Sequence, residues 1–160
     1  MEQSARNKLA SKRVLSYRLL WFERDPPHKY PELALAAVTT HDLPTIAGLW
    51  TGADLEEQRQ LRLHPNEKGM LEIRRRLSSM TNLGDDAPVE DIIKGAYDLL
   101  AQAPSAIIAA TLEDALAIQR RPNLPGAPER SWSMALSEPL EQILSHHLVH
   151  AIAKGLRRRS

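Results

Sequence analysis

The sequence has no cysteine, which excludes a disulfide framework and thiolate chemistry and agrees with a reducing compartment. Neither sign of charge dominates. The 21 Lys and Arg residues against 20 Asp and Glu leave a formal net charge of +1, so no global field draws the chain to nucleic acid or to an anionic membrane. No apolar run approaches the length that crosses a bilayer. The opening Met1-Glu2-Gln3-Ser4-Ala5-Arg6-Asn7-Lys8 lacks the apolar centre of a secretory leader. Internal repeats and low-complexity tracts are missing as well. These absences lead to the expectation of a cytoplasmic protein with no nucleic-acid or membrane partner. What is present is a globular composition, 42% hydrophobic and 26% charged. Its 160 residues fit one domain, so residues 1–160 are read as a single segment with no second domain.

A short helix is expected from residue 2 to about residue 13, where Ala5, Leu9 and Val14 recur at roughly helical spacing. Tyr17–Phe22, rich in aromatic and branched residues, is a first strand. Pro26, Pro27 and Pro31 make the next stretch a loop. The second strand is Leu35–Thr40, apolar enough for a parallel strand covered on both faces. Helices are expected from Asp54 to Leu63 and from Glu67 to about Ser79, the latter capped by Asn66, with Arg74-Arg75-Arg76 on a solvated face. Asp86 and Pro88 open another helix, whose buried stripe is Ile92, Ile93, Ala96, Leu99 and Leu100. Ser105–Ala110 is a third strand, and a helical turn follows over Leu112–Ile118. Arg120–Ser133 is a loop. Ser137 then caps a last helix with Leu140, Ile143, Leu144, Leu148, Ala151 and Ile152 inward, and Arg157-Arg158-Arg159 complement its dipole. This alternation of strands and helices implies an α/β fold with a parallel sheet. Three strands are too few to close a barrel, which needs eight and usually about 250 residues.

The chain is organised around Thr39-Thr40-His41-Asp42-Leu43-Pro44-Thr45, with Gly48-Leu49-Trp50 behind it. A His-Asp pair at a strand's end, followed by a helix, is how a β/α barrel places chemistry on its mouth. Taken alone, the pair is an ordinary turn with a capping Asp. Its company changes that reading: Ser16-Tyr17-Arg18-Leu19-Leu20-Trp21-Phe22-Glu23 precedes it, and Glu113-Asp114-Ala115-Leu116 and Asn123-Leu124-Pro125-Gly126 follow. With these blocks in this order and spacing, the chain resembles the C-terminal portion of the 4-alpha-glucanotransferases (amylomaltases, or disproportionating enzymes), relatives of the alpha-amylases.

The resemblance implies a TIM-like (β/α)8 barrel of which this chain supplies about the last three strands. It implies transfer of alpha-1,4-glucan segments to another glucan or to glucose, with retention at the anomeric carbon. A maltooligosaccharide or alpha-1,4-glucan is then the partner, and no cofactor or metal is needed. Retention calls for a nucleophile and an acid/base carboxyl about 5 Å apart. Asp42 matches a third carboxylate, which stabilises the transition state, and His41 its neighbour that binds sugar hydroxyls. Asn123, Pro125 and Gly126 match a loop on the acceptor side, where an ordinary Pro/Gly turn is the alternative. The family's nucleophile Asp and acid/base Glu lie upstream of the Tyr17 block, the latter in a Gly-Glu-Asp-Leu-Gly motif that does not occur here. Ala127 stands where a Thr is usual, and Ser131 precedes Trp132 where an Asn is usual.

Other candidates have two readings. Trp50 and Trp21 suit either sugar stacking or core packing, and Trp50 is counted among the substrate-binding candidates. Glu113 suits either the site or a helix cap. His146 and His150 have a metal-compatible spacing without a carboxylate partner, and no metal is expected. The functional alternatives are a transglycosylase fragment without its nucleophile and acid/base, inactive in isolation, or a non-catalytic remnant with at most weak glucan binding. Either way, the exposed strand edges of a cut barrel are expected to make the isolated chain self-associate.

Overall fold

Apolar runs too short for helices, separated by prolines and by amphipathic stretches, produce three short strands inside a mainly helical chain. The computed structural model describes residues 3–157, with side-chain surroundings from residue 7 onward. The strands are β1 (Ser16–Leu19), β2 (Ala34–Ala37) and β3 (Ile107–Ala109). The helices are α1 (Gln3–Ser11), α2 (Ile46–Thr51), α3 (Ala53–Gln60), α4 (Glu67–Thr81), α5 (Val89–Leu100), α6 (Leu112–Ala115), α7 (Leu140–Ile143) and α8 (His147–Leu156). Residue 2 of the expected first helix, and Arg158 and Arg159 of the basic terminus, lie outside the described residues.

The sheet has the order β1-β2-β3, and both pairings are parallel, as expected for strands joined by long crossovers. All three strands are shorter than the apolar runs that mark them. The expected Tyr17–Phe22, Leu35–Thr40 and Ser105–Ala110 each lose residues to the turns at their ends. After β1 the chain turns back at once, with Phe22 N and Glu23 N both donating to Leu19 O.

The two faces of the sheet differ. Ala36, Val38 and Leu20 point into a core built with Ile46, Ala47 and Trp50 of α2, the stripe of α5, and Leu148 and Ile152 of α8. On the other face the register aligns Tyr17 with Leu35 and Leu35 with Ile107, and Tyr17 and Ile107 are 55% and 46% exposed. The expectation of a strand covered on both faces therefore fails among the described residues. The small Ala34 and Ala36, both fully buried, allow close packing on the helix side.

Several helix expectations need correction. In α5, Tyr97 takes the buried position assigned to Leu99, which is only partly buried. Asp86 does not cap α5; Pro88 precedes it without a side-chain cap bond. The single last helix is two, α7 and α8, neither capped by Ser137. Leu140 and Leu144 are 62% and 65% exposed, and in α7 Ile143 alone is buried, as expected. The run Arg74-Arg75-Arg76 is not a uniformly solvated face. Arg74 stacks over Trp50 at 4.4 Å and donates from Nε to Trp50 O, while Arg76 Nη2 donates to Leu20 O and Trp21 O, both at 2.7 Å. Two of the three arginines thus tie α4 to the strand end and to α2, and Arg75 alone is exposed. Asn66 does cap α4, accepting from Gly69 N at 3.0 Å.

Candidate functional site

His41 and Asp42 occupy the turn that leaves the C-terminal end of the central strand. The turn is pinned from beneath. Leu43 N donates to Thr40 O, and Pro44 O accepts from both Trp21 Nε1 at 3.1 Å and the Thr39 hydroxyl at 2.9 Å. Thr45 then caps α2 by accepting from Gly48 N at 2.9 Å. Gly48 is required by close approach, since a Cβ there would lie 2.2 Å from Gln119 O. That contact brings α2 against the segment leading into the Arg120–Ser133 loop.

The loop then joins the turn. Asn123 N donates to His41 O at 3.1 Å, and Asn123 Nδ2 donates to Asp42 Oδ1. The same Oδ1 is 3.3 Å from His41 Nε2. Asp42 Oδ2 has no protein partner among the described residues, and both His41 and Asp42 are about half exposed. The site therefore offers a held carboxylate with one oxygen open to a hydroxyl donor, beside an imidazole.

Arg121, which the sequence reading did not single out, organises this arrangement. Its Nη1 donates to Asp42 O at 2.6 Å, and its Nε and Nη2 fork onto the Asp54 carboxylate at 2.7 and 2.5 Å. Both side chains are buried, at 8% and 1% exposure. Arg120 and Arg130 both bond Glu57, which ties the loop to α3 a second time. The partners lie more than 60 residues apart, so no local pattern could have signalled them.

A second unrecognised anchor is Asp114, fully buried, where the sequence suggested only a helical turn. Its Oδ1 accepts from Ile46 N at 2.8 Å and its Oδ2 from the Tyr97 hydroxyl at 2.9 Å. The short helix α6 that follows β3 is thereby bound to the start of α2 and to α5. Burial pushes the Asp114 carboxyl up to about 6 from 3.8, outweighing the hydrogen bonding with Ile46, Tyr97 and Thr111, which favours the charged form. Between those values the folded protein holds this proton more tightly than the unfolded chain. Its contribution to stability is therefore fully present below about pH 4 and is lost as the pH rises through 6. Urea titrations of wild type and Asp114→Asn are expected to show a stability gap that shifts by about 3 kcal/mol across this window. A gap that stays constant with pH would disprove the assignment.

A cleft of about 300 Å³ opens on the bare side of the sheet, beside the turn. Its wall includes Tyr17, Ala37, Thr39, His41, Glu113 and Trp132. Asp42 and Asn123 flank this wall, each in contact with His41. Pro125 and Gly126 do not line it. They form an exposed turn in which Gly126 has φ +91 and sits against Leu63. Trp50 is also away from the cleft, 5% exposed under Arg74, with its indole N–H on Ala87 O at 2.9 Å. Packing accounts for both Trp50 and Trp21. The departures at Ala127 and Ser131 lie within the loop: Ala127 is buried, and the Ser131 hydroxyl accepts from Leu124 N at 3.1 Å. Among the described residues no group of three or more His, Asp or Glu is placed to hold a metal, and no helix is long and apolar enough to cross a membrane.

A family model described as 4-alpha-glucanotransferase matches residues 1–141. The chain is 28% identical to the 4-alpha-glucanotransferases of Mycobacterium bovis and Mycobacterium tuberculosis over 186 residues, covering 98% of this chain and 26% of each relative. Among solved structures it is similar to the amylomaltase from Corynebacterium glutamicum, with a TM-score of 0.84, 25% identity, and coverage of 99% of this chain and 28% of that one. The amylomaltase from Streptococcus agalactiae in complex with acarbose shares the fold at a TM-score of 0.63 and 17% identity, over 97% of this chain and 29% of that one. The chain thus spans about a quarter of the length of the curated relatives it matches.

Proposed function

This chain belongs to the 4-alpha-glucanotransferase family, and from that premise we propose that it is the C-terminal part of a (β/α)8 barrel that binds alpha-1,4-glucan through Asp42. The observation that carries the reading is the Asp42 carboxylate, held through Oδ1 by Asn123 and His41 at the C-terminal end of the central strand. Active sites of β/α barrels are assembled at that end of the strands. A carboxylate with a free oxygen suits charge-assisted hydrogen bonds to sugar hydroxyls next to the reacting carbon. The bare row Tyr17, Leu35 and Ile107 supports the barrel reading, since inward side chains fill the interior when such a sheet closes.

In this reading Asp42 stabilises the oxocarbenium-like transition state, and His41 positions the sugar through its hydroxyls. Asn123 orients Asp42. The nucleophile and acid/base of a retaining transfer come from the part of the barrel that the relatives have and this chain does not span. Among the described residues Glu113 is the only carboxylate in the cleft wall, whereas retention needs two about 5 Å apart. The isolated chain is therefore a glucan-binding module without turnover.

Calorimetric titration with acarbose and maltotriose tests this. Binding is expected, and Asp42→Ala is expected to weaken it by about tenfold or more, as the loss of a hydrogen bond to a charged group would. No glucose is expected from maltotriose. Glucose release by the chain, abolished in Asp42→Asn, would overturn the division of roles, and saccharide affinity unchanged in Asp42→Ala would remove Asp42 from the site.

A further inference from the structure

Trp132 is the most exposed large hydrophobic side chain among the described residues, at 67%. Its φ is +58, a left-handed conformation that bulky residues rarely adopt and that is held only where the surroundings enforce it. The enforcement is visible: Trp132 N donates to Pro122 O at 2.7 Å, which closes the loop on itself. Strain and an uncovered indole are thus maintained together, with no return in core packing. The ring sits 5.1 Å from the His41 ring at an interplanar angle of 44°. It also divides two neighbouring clefts. Glu113, Pro122 and Trp132 belong to the walls of both, and the second cleft, of about 280 Å³, runs on past Leu112 and Ile118 to Met134 and Leu136.

We propose that Trp132 is a stacking platform for a glucosyl unit beyond the one at His41 and Asp42, and that the second cleft receives the continuing saccharide chain. The inference rests on the glucan reading above. A sugar ring has apolar C–H faces and a hydroxyl rim. The indole and the aliphatic wall suit the faces, and Glu113, the only charged group in that wall, can accept from the rim. A polyanionic ligand would be repelled by Glu113. Trp132 then sets how strongly affinity depends on glucan length.

Trp21 and Trp50 are buried at 2% and 5%, so Trp132 is the indole that iodide reaches. Maltohexaose is expected to protect the wild-type chain from iodide quenching. Affinity is expected to rise from maltose to maltohexaose, and Trp132→Ala to flatten that rise, weakening maltohexaose about fivefold to tenfold and maltose much less. Trp132→Gly, which relieves the left-handed strain, is expected to lose the same affinity while melting at a higher temperature. A residue kept for packing would not split the two properties in that way. Equal maltohexaose affinity in wild type and Trp132→Ala, with maltose still bound, would overturn this inference and leave the glucan reading standing. No binding of either saccharide by the wild-type chain would remove both.

Discussion

Arg121→Ala is expected to lower the stability of the chain by about 3–5 kcal/mol, the typical cost of breaking a buried ion pair from one side. The substitution leaves the Asp54 carboxylate 1% exposed, with Gln58 Nε2 at 2.7 Å as its remaining hydrogen-bond donor. It also removes the donor to Asp42 O. Arg121→Lys is expected to recover only part of the loss, because an ammonium cannot reproduce a fork onto one carboxylate and a third bond to a carbonyl. Replacing both partners, as in Arg121→Met with Asp54→Leu, is expected to recover more stability than Arg121→Lys while still weakening saccharide binding. That separates the role of the pair in the fold from its role in placing Asp42. Urea denaturation followed by circular dichroism reads the first, and calorimetry the second. An Arg121→Ala chain within about 1 kcal/mol of wild type would show that the loop is held by other contacts.

The purified chain is expected to sediment as dimers or larger species at low micromolar concentration. The helical side of the sheet is closed: Ile92, Ile93 and Leu100 of α5 are each fully buried beneath α2 and α8. The exposed apolar surface is instead on the sheet. β1 and β3 are its edges, and Tyr17 and Ile107 stand exposed on the uncovered face. Val14, Leu15 and Leu33 extend that surface beside β1, at 47%, 37% and 37% exposure. Unprotected edges pair with other chains, and apolar patches beyond a few hundred Å² are uncommon on monomers. Placing lysine at both positions, Tyr17→Lys with Ile107→Lys, is expected to shift the chain toward monomer, since edge lysines oppose strand addition. A sharp wild-type monomer peak with cooperative thermal unfolding would refute the proposed open barrel segment.

The parallel order of the strands and the position of His41 and Asp42 were legible because they rest on short-range signals. The Leu35–Thr40 run has the composition of a strand, and Pro44 and Thr45 mark where a turn ends and a helix begins. Asn66 announces α4 in the same way. The resemblance carried the reading further, to Asn123, which does meet Asp42. It did not distinguish Asn123 from Pro125 and Gly126, two and three residues on, which turn away toward solvent and Leu63. The tryptophans show the same limit. The chain has three, and type alone does not say which is buried. Arg74 and Ala87 cover Trp50, while a left-handed backbone lifts Trp132 out beside His41.

By itself the sequence determined where the three strands and most of the longer helices lie, that Asn66 caps α4, and which turn follows the central strand. Those choices depend on contacts within a few residues of chain, where propensity, capping and proline act. Only the tertiary structure decided what the charged and aromatic side chains do. It pairs Arg121 with Asp54, Asp114 with Ile46 and Tyr97, and Arg76 with the end of β1. A long-range ion pair forms when packing brings two groups together and removes them from water. That condition is a property of the folded neighbourhood and leaves no periodic trace along the chain.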